Sequence, residues 1–240
     1  MSQTPPAATV RTHLKMPLRF ADGYATTARV FTFDGLVDGR EHVAFGLGDR
    51  VGDRTEDGHR GSPPLVRPHS ECLTGDVLGS ERCDCGAQMS QAVKRIAKAG
   101  GFLLYLRQEG RGIGLYAKLD AYALQDAGLD TYEANLALGY AEDERDYTVA
   151  AQMLQALGLS RVALLTNNPD KVAQLSRLGI TVTEQVPTGV HLSTANARYL
   201  AAKAQHGGHT LDLPPVRLHP EWVTDGAEAH PANGRPTGTS

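Results

Sequence analysis

The sequence lacks any apolar run able to cross a bilayer. Its longest stretches are of the kind Phe102-Leu103-Leu104-Tyr105-Leu106, far short of the roughly 20 residues a spanning helix needs. It also lacks a surplus of positive charge. The 240 residues carry 24 Lys+Arg against 27 Asp+Glu, a formal charge of -3, which argues against a nucleic-acid partner bound through the backbone, since that needs a basic face. Any anionic ligand must therefore meet a local cluster of cations. Residues 1–8 hold no basic segment followed by an apolar stretch, so no secretory signal is expected. Cysteine is scarce and odd in number, at three, which predicts a reducing cytoplasm and no disulfide framework. The only tryptophan, Trp222, suggests no chemistry, and no internal repeat is visible. What remains is a chain with 41% hydrophobic residues, enough for a core, at a length suiting one ordinary domain or two small ones.

Residues 1–15 and 214–240 read as tails, the second because it holds Pro214, Pro215, Pro220, Pro231 and Pro236 and ends rich in Gly, Thr and Ser. A single catalytic domain is expected over 16–213. Strands are predicted at 27–33, 41–47, 102–106, 161–166 and 180–184, where β-branched and aromatic residues gather or apolar runs are short. The Gly-, Asp- and Arg-rich stretch 48–64 reads as a loop. From residue 87 the period changes: Met89, Val93, Ile96 and Ala97 share a helical face that ends at Gly100-Gly101. Further helices are predicted at 116–127, 147–157, 170–178 and 195–205, the first two followed by Gly128 and Gly158. A β-rich opening followed by strand–helix alternation predicts an α+β (α/β-like) domain with a mixed sheet core flanked by helices.

All three cysteines fall in one window: Cys72, Cys83 and Cys85. Free cysteines are commonly small buried hydrophobes, but Glu71, Thr74, Asp76, Ser80, Glu81, Arg82 and Asp84 make this window polar. Thiolates converging on a soft divalent metal fit better, with zinc the default. Closed zinc sites have four protein ligands, while catalytic ones hold three and an open position. His69, three residues before Cys72, could close the site as Cys₃His; if it points elsewhere, the fourth position is open to water.

At this point the sequence resembles a known family. Arg67-Pro68-His69-Ser70-Glu71-Cys72-Leu73-Thr74-Gly75-Asp76 and Arg82-Cys83-Asp84-Cys85-Gly86 resemble the zinc site of the GTP cyclohydrolase II family. The stretches Gln108-Glu109-Gly110-Arg111-Gly112-Ile113-Gly114, Asp143-Glu144-Arg145-Asp146-Tyr147 and Thr166-Asn167-Asn168-Pro169-Asp170-Lys171 match it in the same order. The likeness spans about residues 67–208.

The resemblance implies a zinc-dependent, GTP-hydrolysing enzyme at the entry to riboflavin synthesis, with one Zn²⁺ per subunit held by Cys72, Cys83 and Cys85. It implies Mg²⁺ on the triphosphate, held mostly by phosphate oxygens and water, and a cytoplasmic homodimer. Nucleotide contacts carried over by motif are Arg67, Pro68, His69, Ser70, Glu71, Gln88, Glu109, Gly110, Arg111, Thr131, Thr166 and Lys171. Glu109 suits the guanine N1–H and 2-amino edge, because a carboxylate accepts both hydrogens. Tyr122 matches a tyrosine that positions water; read alone, it is an ordinary helix residue at a core edge. Asp143 matches the proton acceptor and Arg145 a nucleophile on the α-phosphate, although the same run would also serve as a helix-capping segment. A guanidinium offers no free lone pair, so Arg145 more easily stabilises charge while water attacks. Two alternatives stand beside this reading. One is a paralogue that stops at the formylated intermediate or serves another pathway; the other is a non-catalytic nucleotide-binding module with structural Cys₃His zinc.

Overall fold

In Phe102-Leu103-Leu104-Tyr105-Leu106, successive side chains must point to opposite sheet faces, and both faces are covered. In the computed structural model, which describes residues 6–48, 62–141 and 144–189, this run lies in a strand at Gly101–Leu106. Phe102, Leu104 and Leu106 pack on one side with Tyr147, Met153, Leu154 and Leu175. Leu103 faces the other side with Val93, Ile96 and Leu165. A strand buried on both faces reads as a continuous apolar run rather than an alternation.

The strands are β1 (Thr9–Arg19), β2 (Ala25–Asp34), β3 (Val43–Leu47), β4 (Leu65–Ser70), β5 (Gly101–Leu106), β6 (Arg161–Leu165) and β7 (Thr181–Val186). They form one sheet in the order β1-β2-β3-β5-β4-β6-β7. The β1/β2, β2/β3 and β3/β5 pairs are antiparallel, and β5/β4, β4/β6 and β6/β7 are parallel. Helix α1 (Cys85–Ala99) connects β4 to β5, and α5 (Pro169–Arg177) connects β6 to β7. Between β5 and β6 run α2 (Leu115–Asp126), α3 (Thr131–Ala137) and α4 (Thr148–Ala156). Helix α1 packs on one face of the sheet and α4 on the other. The expected mixed sheet flanked by helices is the observed fold.

Three local readings change. The N-terminal tail expected over 1–15 contains the first part of β1, which pairs with β2 from Thr9↔Asp34 to Arg19↔Ala25. Its side chains are mostly exposed, so no apolar pattern marked it; backbone pairing holds it. β4 is not marked by an apolar run, because Arg67, Pro68 and His69 break its apolar character. Pro68 is tolerated there because pairing with β6 ends at Val66↔Leu164, so its missing N–H removes nothing from that ladder. Helix α3 starts with a reciprocal cap that composition alone hid: Glu133 N–H donates to Asp130 Oδ1 at 2.8 Å and Asp130 N–H to Glu133 Oε2 at 2.9 Å. Most of the loop predicted at 48–64, the helix at 195–205 and the tail at 214–240 lie outside the described residues.

The parallel centre depends on close backbone approach at Gly101. A Cβ placed there would lie 2.0 Å from the Leu65 carbonyl oxygen. Gly101→Ala should therefore lower the unfolding free energy by about 3 kcal/mol, as overpacking against backbone does. Urea unfolding followed by circular dichroism measures it, and an unchanged midpoint would refute this account of the β4–β5 contact.

Candidate active site and metal centre

Parallel strands deliver their C-terminal ends to one edge of the sheet, where the following loops converge. Here β4 ends at Ser70 and leads to Glu71 and Cys72, β5 leads to the turn at Gln108–Arg111, and β6 leads to Thr166–Lys171. These three loops and α2 line one cleft of about 1130 Å³ open to solvent. The topology thus brings motifs separated by about a hundred residues to one place.

The sulfurs are gathered by a π-helical turn, Leu73–Val77, that wraps them. Cys72 Sγ and Cys83 Sγ are 3.6 Å apart, and all three Sγ atoms lie within 4.8 Å of one another. Tetrahedral zinc–thiolate bonds of about 2.3 Å would set sulfurs about 3.8 Å apart, so the trio is already near coordinating distance. Gly75 makes this possible: a Cβ there would stand 2.6 Å from Cys83 Sγ and 3.2 Å from Cys72 Sγ. Cys85 opens α1, where the aligned backbone N–H groups favour a thiolate. The Cys72 thiol is held far below its ordinary range by hydrogen bonds from Cys83 first and Cys85 next, with the Lys118 charge adding to them. Cys83, its partner in that bond, is pushed up. A divalent soft metal fits this donor set.

His69 does not complete it. Its Nε2 faces both Asp76 oxygens at 3.1 Å, its ring stacks on Tyr105 at 5.7 Å, and neither ring nitrogen joins the three-sulfur group. Asp76 in turn accepts from Cys72 N–H at 3.0 Å and from the Tyr105 hydroxyl at 3.0 Å. His69 therefore braces the turn that carries Cys72, and the closed Cys₃His arrangement is not the one observed. Burial lowers the His69 pKa despite the Asp76 contact, so the ring is held neutral.

The cleft is locally cationic, as the mild overall acidity required. Among the described lining residues Arg67, Arg111, Lys118, Arg145 and Lys171 stand against Glu71 and Glu109. Arg67 is 6% exposed and donates to Gln88 Oε1 at 2.7 Å and Leu165 O at 3.2 Å, while its buried Nε has no hydrogen-bond partner among the described residues. The residue as a whole lines the cleft, so its guanidinium charge lies beside any ligand bound there. Lys171 Nζ donates to the Pro68 carbonyl at 2.9 Å. The turn after β5 is held in left-handed backbone at Gly110 (φ 62°) and at Arg111 (φ 60°), a conformation costing a non-glycine residue about 1–2 kcal/mol. Glu144 N–H donates to Arg111 O at 3.1 Å and helps hold it.

Of the sequence-derived residues, Arg67, His69, Ser70, Glu71, Gln88, Glu109, Gly110, Arg111, Tyr122, Arg145, Thr166 and Lys171 line the cleft with the cysteines. Pro68 does not; it is buried and contributes its carbonyl to Lys171. Asp143 and the Thr131 side chain lie outside the described ones. The Glu109 carboxylate is already engaged: Oε2 accepts from Leu73 N–H at 2.7 Å, and Oε1 from Lys118 Nζ at 2.8 Å and Gly110 N–H at 3.1 Å. Sequence reasoning missed Lys118, Asn135, Asn167, Asn168 and Thr188 in the lining. For Lys118 the available signal was its place one helical turn before Tyr122 on α2, since residues four apart share a face.

The model of the family described as GTP cyclohydrolase II matches residues 12–187. The chain belongs to the GTP cyclohydrolase II family. It is 52% identical over 186 residues to "GTP cyclohydrolase-2" of Vibrio parahaemolyticus, covering 78% of this chain and 90% of that one. "GTP cyclohydrolase-2" of Pseudomonas fluorescens is 50% identical over 202 residues, covering 82% and 95%; that of Psychromonas ingrahamii is 47% identical over 202 residues, covering 83% and 96%. Membership of this family makes the chain an enzyme of that type. No helix among the described residues is long and apolar enough to cross a membrane.

The His69 environment has a pH consequence. A histidine whose folded pKa lies below the ordinary 6.5 binds fewer protons folded than unfolded, so its contribution is complete above pH 6.5 and is lost as pH falls below it. His69→Gln should flatten the acid-side loss of unfolding free energy relative to wild type, as read by denaturant titrations across that range. An equally steep loss in the variant would contradict a buried neutral His69.

Proposed function

We propose that the chain hydrolyses GTP to 2,5-diamino-6-ribosylamino-4(3H)-pyrimidinone 5′-phosphate, releasing formate and pyrophosphate, as the first step of riboflavin synthesis. The observation that carries this reading is that three sulfurs at coordinating distance open into the same cleft as the buried guanidinium of Arg67 and the ammonium of Lys171. A soft-metal site and an anion site in one cleft suit a substrate with both a hydrolysable ring and a triphosphate. When bound by Cys72, Cys83 and Cys85, a zinc ion supplies a Lewis acid with an open position for the hydrolyses at C8.

The chain's own residues do the rest. Arg67, Arg111 and Lys171 offset triphosphate charge, and Mg²⁺ accompanies the phosphates. Thr166 and the N-terminus of α5 present polar groups to the same end of the cleft. Arg145 stabilises charge developing at the α-phosphate, and Asp143 accepts the proton of the attacking water, a role assigned through the family motif. Glu109 meets the guanine edge with the one lone-pair site on Oε2 that its three existing bonds leave over, enough for a single N–H of that edge. Tyr122 lines the cleft with Cys83 and Cys85, a place from which its hydroxyl can order water. Zinc at one per subunit, a homodimeric assembly and a cytoplasmic location complete the proposal.

Incubating the protein with GTP and Mg²⁺ should release formate and pyrophosphate in equal amounts. Pyrophosphate without formate would assign it to the variant chemistry that keeps the formyl group; neither product would overturn the proposal. Cys83→Ser should lose metal and formate release together, and formate release persisting in metal-depleted Cys83→Ser would refute the metal's role. Tyr122→Phe should keep pyrophosphate release and lose most formate release, whereas unchanged formate would remove Tyr122 from the water-ordering role.

A further inference from the structure

Lys118 lies in the first turns of α2 and is 7% exposed. A buried ammonium is tolerated only where its three N–H groups find acceptors. They do: Nζ donates to Cys72 Sγ at 3.2 Å, Thr74 Oγ1 at 2.9 Å and Glu109 Oε1 at 2.8 Å, with the Tyr122 ring 5.6 Å away. With its three donors engaged inside the protein, Lys118 has none left to clamp a phosphate. Its position against a sulfur has a different use. Three thiolates on a divalent ion leave one surplus negative charge, and their electron donation weakens the ion as a Lewis acid. A cation hydrogen-bonded to one sulfur draws that density back, as outer partners of metal ligands do.

We propose that Lys118 is a positioning residue of the metal centre: its ammonium, fixed between Cys72 and Glu109, offsets the surplus charge of the three-sulfur set and ties that set to the turn after β5. Leu73 N–H on Glu109 Oε2 at 2.7 Å completes the tie, so the π-helical turn that carries the ligand and the turn that carries Glu109 move together. The inference rests on reading Cys72, Cys83 and Cys85 as metal ligands. A lysine kept only to fill space would affect folding and leave the donor strength of the sulfurs unchanged.

The test uses the full chain stripped of metal and loaded with Co²⁺, comparing wild type with Lys118→Met, Lys118→Gln and Lys118→Arg. Removing the charge makes the Cys72 thiolate a stronger electron donor, so the thiolate-to-cobalt charge-transfer band should move to longer wavelength in Lys118→Met and Lys118→Gln. Zn²⁺ affinity, read by competition with a chromophoric chelator, should nevertheless fall about tenfold in both, because the tie that holds Cys72 in place is lost and a thiolate without its cation is more readily protonated in competition with the metal. Lys118→Arg should stay near wild type in both readouts. If Lys118→Met does not fold, Lys118→Gln, which retains an amide donor for Glu109, carries the comparison. An unshifted band with unchanged affinity in a folded neutral variant overturns the role of Lys118. A wild-type protein that takes up no Co²⁺ overturns the metal reading itself, a result distinct from an unshifted variant.

Discussion

Bringing three sulfurs within bonding range of one point is the constraint around which the local structure is organised, because thiolates repel one another and need a tight, hydrogen-bonded enclosure. Gly75 provides the room, since any side chain there would collide with Cys83 Sγ. The next contact depends on a second glycine: a Cβ on Gly86 would stand 2.3 Å from the Gly75 carbonyl oxygen. Asp76 then ties the turn down through the Cys72 N–H, His69 and Tyr105. None of these contacts is strong singly. Their effect comes from sharing one carboxylate, which fixes the Cys72 backbone relative to β4 and β5.

The sheet explains why a cationic cleft can exist in an acidic chain. Four parallel strands, β5, β4, β6 and β7, point their C-terminal ends the same way, so Arg67 on β4, Arg111 in the turn after β5 and Lys171 in the first turn of α5 converge although their charges are dispersed in sequence. Burying these cations is costly, and the protein limits the cost with backbone carbonyls: Leu165 O for Arg67 and Pro68 O for Lys171. A carbonyl acceptor satisfies an N–H group without cancelling its positive charge. Lys118 has a full carboxylate partner in Glu109 and a sulfur acceptor in Cys72, consistent with a role toward the sulfurs and not toward phosphate.

Much of this was legible in the chain. The confinement of cysteine to one polar window pointed to a metal, and the apolar runs gave β5, β6 and the helices α1, α2, α4 and α5 to within a few residues. The edge strand β1 was illegible because an exposed strand has no apolar alternation to display. β4 showed no apolar pattern for the opposite reason: its buried positions hold Arg67 and His69, polar residues kept inside by hydrogen bonds that only the folded neighbours supply. Lys118 was missed on similar grounds, since a lysine on an amphipathic helix reads as solvated until its three acceptors are in view.

Residue identity and spacing alone determined which chemistry was available: soft ligands in one short window, glycine-rich turns after strands, and cations in the same motifs. Tertiary structure decided how those groups are used. Whether His69 turned toward the sulfurs or toward Asp76 depended on which carboxylate the π-helical turn placed beside it. Which cations faced a ligand and which were internally paired depended on acceptors contributed by distant segments. Covalent order sets the inventory of groups, but hydrogen-bond partners are assigned by proximity, and proximity here is a property of the sheet.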